Sequence, residues 1–109
     1  MNLGEMGKMF KKIQKMQEDV QRLQEELKER TVEASAGGGA VRVVATGGLE
    51  IRRIAIDPAA VDPDDTEMLE DLLVAAVNEA LRQAQDMVQR EMEKVAGALN
   101  LPRIPGLNF

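Results

Sequence analysis

The sequence predicts an α+β protein in which a long N-terminal helix, a three-stranded antiparallel meander and a long C-terminal helix follow one another. Two stretches with apolar residues at helical spacing flank a shorter stretch in which apolar residues alternate. Glycine runs separate the alternating segments, as turns between strands require. With 109 residues the chain has the length of one domain. We divide it into a helical arm (1–30), a β-meander (31–57), a second helix (62–98) and a tail with two prolines (99–109).

The first helix is predicted from apolar residues that recur at alternating intervals of three and four, the a/d spacing of heptads. These residues are Met6, Met9, Ile13, Met16, Val20, Leu23 and Leu27. A helix from Glu5 to Arg30 would be about 39 Å long at roughly 1.5 Å per residue. A domain of this size cannot cover that length, so part of the helix should project as an arm.

The tip of this arm is predicted to be basic. Among the first seventeen residues the only acid is Glu5, while four positions are lysines. The lysines are Lys8, Lys11, Lys12 and Lys15. Two interpretations stay open, a solvated helix face or a tip that binds anions.

The meander is predicted from alternation, with Val41, Val43 and Ala45 on one face of the middle strand and Arg42 and Thr46 on the other. Residues 37–39 are all glycine and form a turn; they lack the lysine and the following helix of a phosphate-binding loop. Gly47 and Gly48 predict a two-residue hairpin turn.

Three arginines lie in the predicted strands. Arg52 and Arg53 occur where the alternation of the third strand slips by one residue, which predicts a β-bulge or a strongly twisted edge. Together with Arg42 they could contact phosphate or pair with nearby acids. We favour ion pairs, which on a surface stabilise by at most ~1 kcal/mol.

The second helix is predicted to begin with Asp62 as its cap and Pro63 in its first turn. Its apolar stripe continues to Leu99 and contains Ala76, Ala80 and Ala84 on one line, where a neighbouring element can approach closely. Residues 57–79 hold eight of the nineteen acids and no lysine or arginine, so the net charge of −5 is concentrated there. A basic surface elsewhere is therefore compatible with the acidic total.

The composition argues against catalysis. The chain has no histidine, cysteine, tyrosine or tryptophan, so a general base that works at neutral pH, a thiol nucleophile or a common transition-metal site is hard to assemble, although carboxylates remain. Asp62, Asp64 and Asp65 lack the spacing of a calcium loop, and helix capping is the favoured interpretation. We expect no cofactor, no metal and no enzymatic activity. The absence of a long apolar run and of cysteines predicts a cytoplasmic protein without a membrane span.

Five segments in order resemble the YbaB/EbfC family of bacterial nucleoid-associated proteins. They are MGKMFKKIQKMQ at 6–17, GGG at 37–39, IAIDP at 54–58, LEDLLVAAVNEA at 69–80 and LPRIPGL at 101–107. The resemblance implies an intertwined two-fold homodimer shaped like tweezers, with paired helical arms that project. It also implies a nucleoid-associated protein that binds double-stranded DNA with little sequence specificity and acts in nucleoid organisation and gene regulation.

The residues themselves agree with this in outline. Basic arm tips related by a two-fold axis would place cations on duplex phosphates, contacts that carry affinity but little sequence information. The predicted DNA-binding residues are Lys8, Lys11, Lys12 and Lys15 on the first arm and Arg90 and Lys94 on the second. Both predicted helices have an apolar stripe along their whole length, and one protomer cannot bury all of this apolar surface. This independently favours a dimer.

The alternative hypothesis is a protein-interaction adaptor whose arms grip a partner helix. Met6, Met9 and Met16 would suit such a surface because methionine adapts to partner shape. Salt discriminates the two hypotheses, since phosphate binding weakens steeply with salt while an apolar grip barely responds. A DNA repair or replication protein is a further partner to test.

Overall fold

The structure, a computed structural model, describes residues 2–98. Its elements are α1 (Leu3–Glu29), β1 (Thr31–Ala36), β2 (Val41–Thr46), β3 (Ile51–Ile56), a short 3-10 turn (Pro58–Ala60) and α2 (Thr66–Ala98). The strands form one antiparallel sheet in the order β1-β2-β3. The predicted fold class is therefore confirmed. The predicted proline-containing tail, 99–109, and the end of the apolar stripe at Leu99 lie outside the described residues.

The core lies between α2 and the first two strands. α2 packs across β1 and β2, and its fully buried Ala76, Ala80 and Ala84 belong to the same cluster as Val41 and Val43 of β2. Side chains of one methyl group let the helix backbone approach the sheet closely, as the alanine line predicted. Each buried valine contributes about 1.5–3 kcal/mol relative to exposure.

The third strand contains a β-bulge, one of the two alternatives that the slip in alternation predicted. Val44 pairs with Arg53 and Ala45 pairs with Ile51, so Arg52 is an extra residue opposite the β2 backbone. Residues that lie opposite each other on neighbouring strands share a face of the sheet. Because of the extra residue, Ile51 lies on the same face as Ile54, although the two are three positions apart in the sequence. Since α2 lies over the other two strands, Ile54 keeps 45% of its surface exposed.

The turn between β2 and β3 is longer than predicted. The prediction of a two-residue turn at Gly47 and Gly48 is wrong. The chain reverses over residues 47–50, and Leu49 lies in the left-handed region at φ 61°. The Leu49 N–H donates to the Thr46 carbonyl at 2.9 Å. Thr46, expected on the polar face, is fully buried, and its hydroxyl accepts from the Glu50 N–H at 3.3 Å.

Gly47 is required by close packing rather than by the turn. A Cβ atom on this residue would lie 2.0 Å from the carbonyl oxygen of Leu27 in the last turn of α1. The Gly47 N–H donates to the Arg30 carbonyl at 3.0 Å, which ties the turn to the end of the helix. The root of α1 is thereby fixed against the β2–β3 end of the sheet.

The second helix begins later than predicted. Asp62 does not cap it: its carboxylate accepts from the Asp64 N–H at 2.9 Å and so closes a turn before the helix. The α-helical residues begin at Thr66, and the Asp65 carboxylate accepts from the Met68 N–H at 3.3 Å in the geometry of an N-cap. Either aspartate has the chemistry of a helix cap. Because Asp62 closes the preceding turn, Asp65 is the residue that caps α2.

The first helix projects from the sheet as an arm. Its 27 residues span about 40 Å at roughly 1.5 Å per residue, and the molecule measures 77 × 26 × 15 Å. Exposure along the apolar stripe falls from 53% at Met6 to 46% at Ile13 and 2% at Leu27. Only the root of the arm is buried within the described protomer. Neither α1 nor any other helix of residues 2–98 is long and apolar enough to cross a membrane.

Candidate nucleic-acid interface

The arm tip presents four lysines on one side of α1. Lys8, Lys11, Lys12 and Lys15 are all exposed, and within residues 2–98 none of them forms an ion pair or a hydrogen bond through its side chain. Their three- and four-residue spacing places them within an arc of about 100°. That arc lies well away from the stripe of Met6, Met9 and Ile13, so a partner that covers the stripe leaves the ammonium groups accessible.

The orientation of the arm depends on contacts at its root. Leu27 is buried, Arg52 of the bulge pairs with Glu29 at 2.5 Å, and Arg30 pairs with Glu91 of α2 at 3.4 Å. The hydrogen bond to the Glu29 carboxylate raises the pKa of the Arg52 guanidinium above its ordinary value. Water screens both pairs, so they contribute less to the attachment of the arm than the buried contacts do. The arm is held by packing at Leu27 and Gly47, with ion pairs on either side.

The two cations predicted on α2 differ from those of the tip. The Lys94 ammonium lies 3.1 Å from the Glu91 carboxylate, which Arg30 also approaches. The hydrogen bond from Lys94 lowers the pKa of Glu91 below its ordinary value, against a smaller opposing effect of desolvation. Arg90 donates from Nε to the Asp86 carbonyl at 3.3 Å. Lys94 therefore pairs with an acid that it shares with Arg30, whereas none of the four tip lysines pairs with an acid within residues 2–98.

The structure separates the three strand arginines. Arg52 forms the ion pair that we favoured for all three. Arg42 and Arg53 are exposed and have no hydrogen-bond or ion-pair partner for their side chains among residues 2–98. Sequence periodicity could not distinguish them, because the bulge and the position of Glu29 decide which guanidinium reaches an acid.

The acidic segment lies at the far end of the sheet from the arm. It begins after Ile56, which pairs with Val41 beside the β1–β2 turn, while the arm root contacts Gly47 at the opposite end. Its acids are Asp57, Asp62, Asp64, Asp65, Glu67, Glu70, Asp71 and Glu79. Glu79 pairs with Arg82 at 2.6 Å, and the hydrogen bond from that guanidinium lowers the pKa of the carboxyl group. The cations of the tip and the bulk of the acids are therefore well separated.

Three carboxylates of the acidic segment accept hydrogen bonds from nearby backbone N–H groups. Besides Asp62 and Asp65, the Asp57 carboxylate accepts from the Ala59 N–H at 2.9 Å. Residues 2–98 contain no group of three or more acids placed to hold a metal ion. Asp65 therefore caps α2, whereas Asp62, the predicted cap, closes the turn that precedes the helix.

Comparison with known proteins identifies the family of the chain. Residues 1–99 match the YbaB/EbfC DNA-binding family. The chain is 61% identical over 104 residues to a protein of Acetivibrio thermocellus named nucleoid-associated protein, covering 95% of this chain and 90% of that one. It is 65% identical over 102 residues to a protein of the same name from Moorella thermoacetica, covering 94% and 98%.

A solved structure shares the fold. An uncharacterized protein from Helicobacter pylori superposes with a TM-score of 0.64 at 21% identity, covering 86% of this chain and 96% of that one. The family description and the names of the relatives are those of DNA-binding and nucleoid-associated proteins rather than of enzymes. The prediction that the chain is not an enzyme is thereby confirmed, and so is the resemblance noted from the five sequence segments.

Proposed function

Because the chain belongs to the YbaB/EbfC DNA-binding family, we propose that it binds double-stranded DNA as a homodimer with little sequence specificity. In this role it acts at the nucleoid and contributes to nucleoid organisation and gene regulation. The four unpaired lysines at the exposed arm tip support the proposal most directly. A DNA repair or replication protein as a second partner stays a prediction.

The chemistry of the tip suits phosphate better than bases. An ammonium group is a compact, strongly hydrated point charge that contacts phosphate oxygens from many directions. Contacts of this kind position a protein on a duplex but carry no direct information about sequence. Binding through Lys8, Lys11, Lys12 and Lys15 should therefore tolerate most sequences and weaken steeply with salt.

The homodimer is supported by apolar surface that the protomer leaves uncovered. Met6, Met9 and Ile13 on the arm are about half exposed, although their a/d spacing is typical of a seam between helices. Ile54 and Ile56 of β3 are 45% and 38% exposed on the face that carries the core. A second copy would cover these residues and present a second set of four lysines to the same duplex.

Exposed methionines alone would also suit an adaptor that grips a partner helix. The unpaired lysines and the family membership favour DNA instead, and we assign the methionine stripe to contact between copies of this chain. The two assignments differ in their response to charge, because an apolar grip does not depend on the lysines.

A charge-reversal experiment tests the proposal. The double variant Lys11→Glu, Lys12→Glu should lose duplex binding in an equilibrium assay while it remains dimeric by analytical ultracentrifugation. The matched control is Arg22→Glu, Lys28→Glu, which changes the net charge equally on the same helix but near its root. Loss of binding in the tip variant alone supports the tip as the DNA contact. Wild-type affinity in the tip variant would overturn it.

A further inference from the structure

The sheet face opposite α2, which we call the outer face, is the second exposed basic surface in the described residues. Strand alternation places Val41, Val43 and Ala45 towards α2, so the intervening positions point the other way. The cross-strand register then gives two rows of residues on the outer face. One row is Glu33, Val44 and Arg53, and the other is Ser35, Arg42 and Ala55.

Two arginines on adjacent strands form the centre of this face. In the register of β2 and β3, Arg42 lies opposite Ala55 and Arg53 lies opposite Val44. The two arginines are therefore diagonal neighbours on adjacent strands. The Arg42 guanidinium lies beside Gly39 of the β1–β2 turn, where an added Cβ would sit 3.5 Å from its nitrogen Nη2. Both side chains are exposed, and neither α1 nor α2 packs over them.

The absence of partners distinguishes these two from the other described arginines. Arg22, Arg30, Arg52 and Arg82 form ion pairs, and Arg90 donates to a backbone carbonyl. Within residues 2–98, Arg42 and Arg53 alone among the arginines have neither kind of partner. In a chain with five more acids than bases, two neighbouring guanidinium groups without an acid point to a partner that supplies the negative charge.

We propose that Arg42 and Arg53 form a second phosphate-binding surface for the backbone of duplex DNA, separate from the arm tips. The inference rests on the proposed function and deepens it. A guanidinium group matches phosphate with two parallel hydrogen bonds. The small neighbours Ser35 and Ala55 leave room for a sugar-phosphate backbone to approach.

The outer face and the arm tip are distinct contacts. About 28 Å of helix separates Lys11 from Arg30, at roughly 1.5 Å per residue, before the sheet begins. Each protomer therefore neutralises phosphates at two places. Glu33 lies in the same cross-strand row as Arg53 and opposes the binding of phosphate there, so Glu33→Gln should strengthen the contact.

The salt dependence of duplex binding tests the inference. Loss of a phosphate contact reduces the slope of log affinity against log salt by about 0.9 per phosphate. The double variant Arg42→Gln, Arg53→Gln should therefore have a slope smaller by about 1.8 per protomer. The matched control is Arg22→Gln, Arg82→Gln, which removes the same charge from two exposed arginines that already pair with acids. An unchanged slope in Arg42→Gln, Arg53→Gln, or an equal reduction in the control, would overturn the inference.

Site-directed crosslinking separates failure of this inference from failure of the proposed function. The chain contains no cysteine, so Ser35→Cys carries a single photoreactive label on the outer face, and Gln14→Cys carries one at the tip. Ala75→Cys, on an exposed position of α2, is the background control. Crosslinks to duplex DNA from both 35 and 14 support the inference. Crosslinks from 14 without 35 refute the outer face alone, and none from either refutes both proposals.

Discussion

The attachment of the arm to the sheet depends on a glycine that sequence alone assigned to a turn. In Gly47→Ala the new Cβ would lie 2.0 Å from the Leu27 carbonyl oxygen and 3.0 Å from a Val88 methyl group. Two backbone segments must then move apart by at least about 1 Å to restore ordinary van der Waals contact. The last turn of α1 would shift away from the sheet.

The expected cost follows from what this shift disrupts. The hydrogen bond from Gly47 N–H to the Arg30 carbonyl contributes about 0.5–1.5 kcal/mol. Overpacking of a well-filled site costs about 1–3 kcal/mol, and partial exposure of Leu27 adds to it. We expect a loss of about 2–4 kcal/mol in the free energy of unfolding. For a domain of this size each kcal/mol lowers Tm by about 4–8 °C.

Urea and thermal unfolding at one fixed protein concentration measure this loss. Gly48→Ala is the matched control, because its new Cβ would meet the Lys28 carbonyl oxygen at an ordinary 3.4 Å. The control should stay within about 0.5 kcal/mol of wild type. If Gly47→Ala is equally mild, the root of the arm does not pack against the turn as described, and the explanation of the arm's orientation is wrong.

Three further predictions test other parts of the structure. Ile54→Asp should convert the dimer to monomer, because it places a charge on the exposed apolar surface that we assign to the interface. Analytical ultracentrifugation measures this, and a stable dimer would refute the assignment. Ala80→Leu, at a fully buried position, should destabilise by about 1–3 kcal/mol in urea unfolding, while Ala75→Leu, on an exposed position, should not; equal effects would contradict the placement of α2. Glu91 has a folded-state pKa below its ordinary value of 4.5, so its contribution to stability is present above that pH and is lost as pH falls through the lowered value. Glu91→Gln should therefore differ from wild type in stability near neutral pH and converge with it in acid, and a constant difference at all pH values would contradict the pairing with Lys94 and Arg30.

Local periodicity predicted most of the fold. The heptad spacing of α1, the alternation of Val41, Val43 and Ala45, and the alanine line of α2 each depend on residues close in sequence, and each is confirmed. The bulge was also visible, because two charged residues at 52 and 53 interrupt the alternation. These features follow from the period of a single element and need no knowledge of its neighbours.

Most of the errors arose where residues distant in sequence decide the outcome. Gly47 is glycine because α1 lies against it, which no window around the turn reveals. Asp62 and Asp65 are equally good caps, and the preceding turn chooses between them. Arg42, Arg52 and Arg53 have the same chemistry, and only the fold shows that Arg52 reaches Glu29 while the other two have no acid partner among residues 2–98. Lys94 differs, because its partner Glu91 lies only three residues before it on α2, and Lys94 as a DNA contact stays a prediction.

Binding of duplex phosphates by the basic arms is tested by the affinity of the purified protein for a labelled duplex, measured from low to physiological salt. A dimer presents eight tip lysines, so log affinity should fall linearly with log salt with a slope of magnitude up to about 7, at roughly 0.9 per phosphate, before any contribution from the outer face. Affinity should change little when the duplex sequence is changed. A flat dependence on salt, or no binding even at low salt, would show that the arms do not bind duplex phosphates and would direct the search to protein partners.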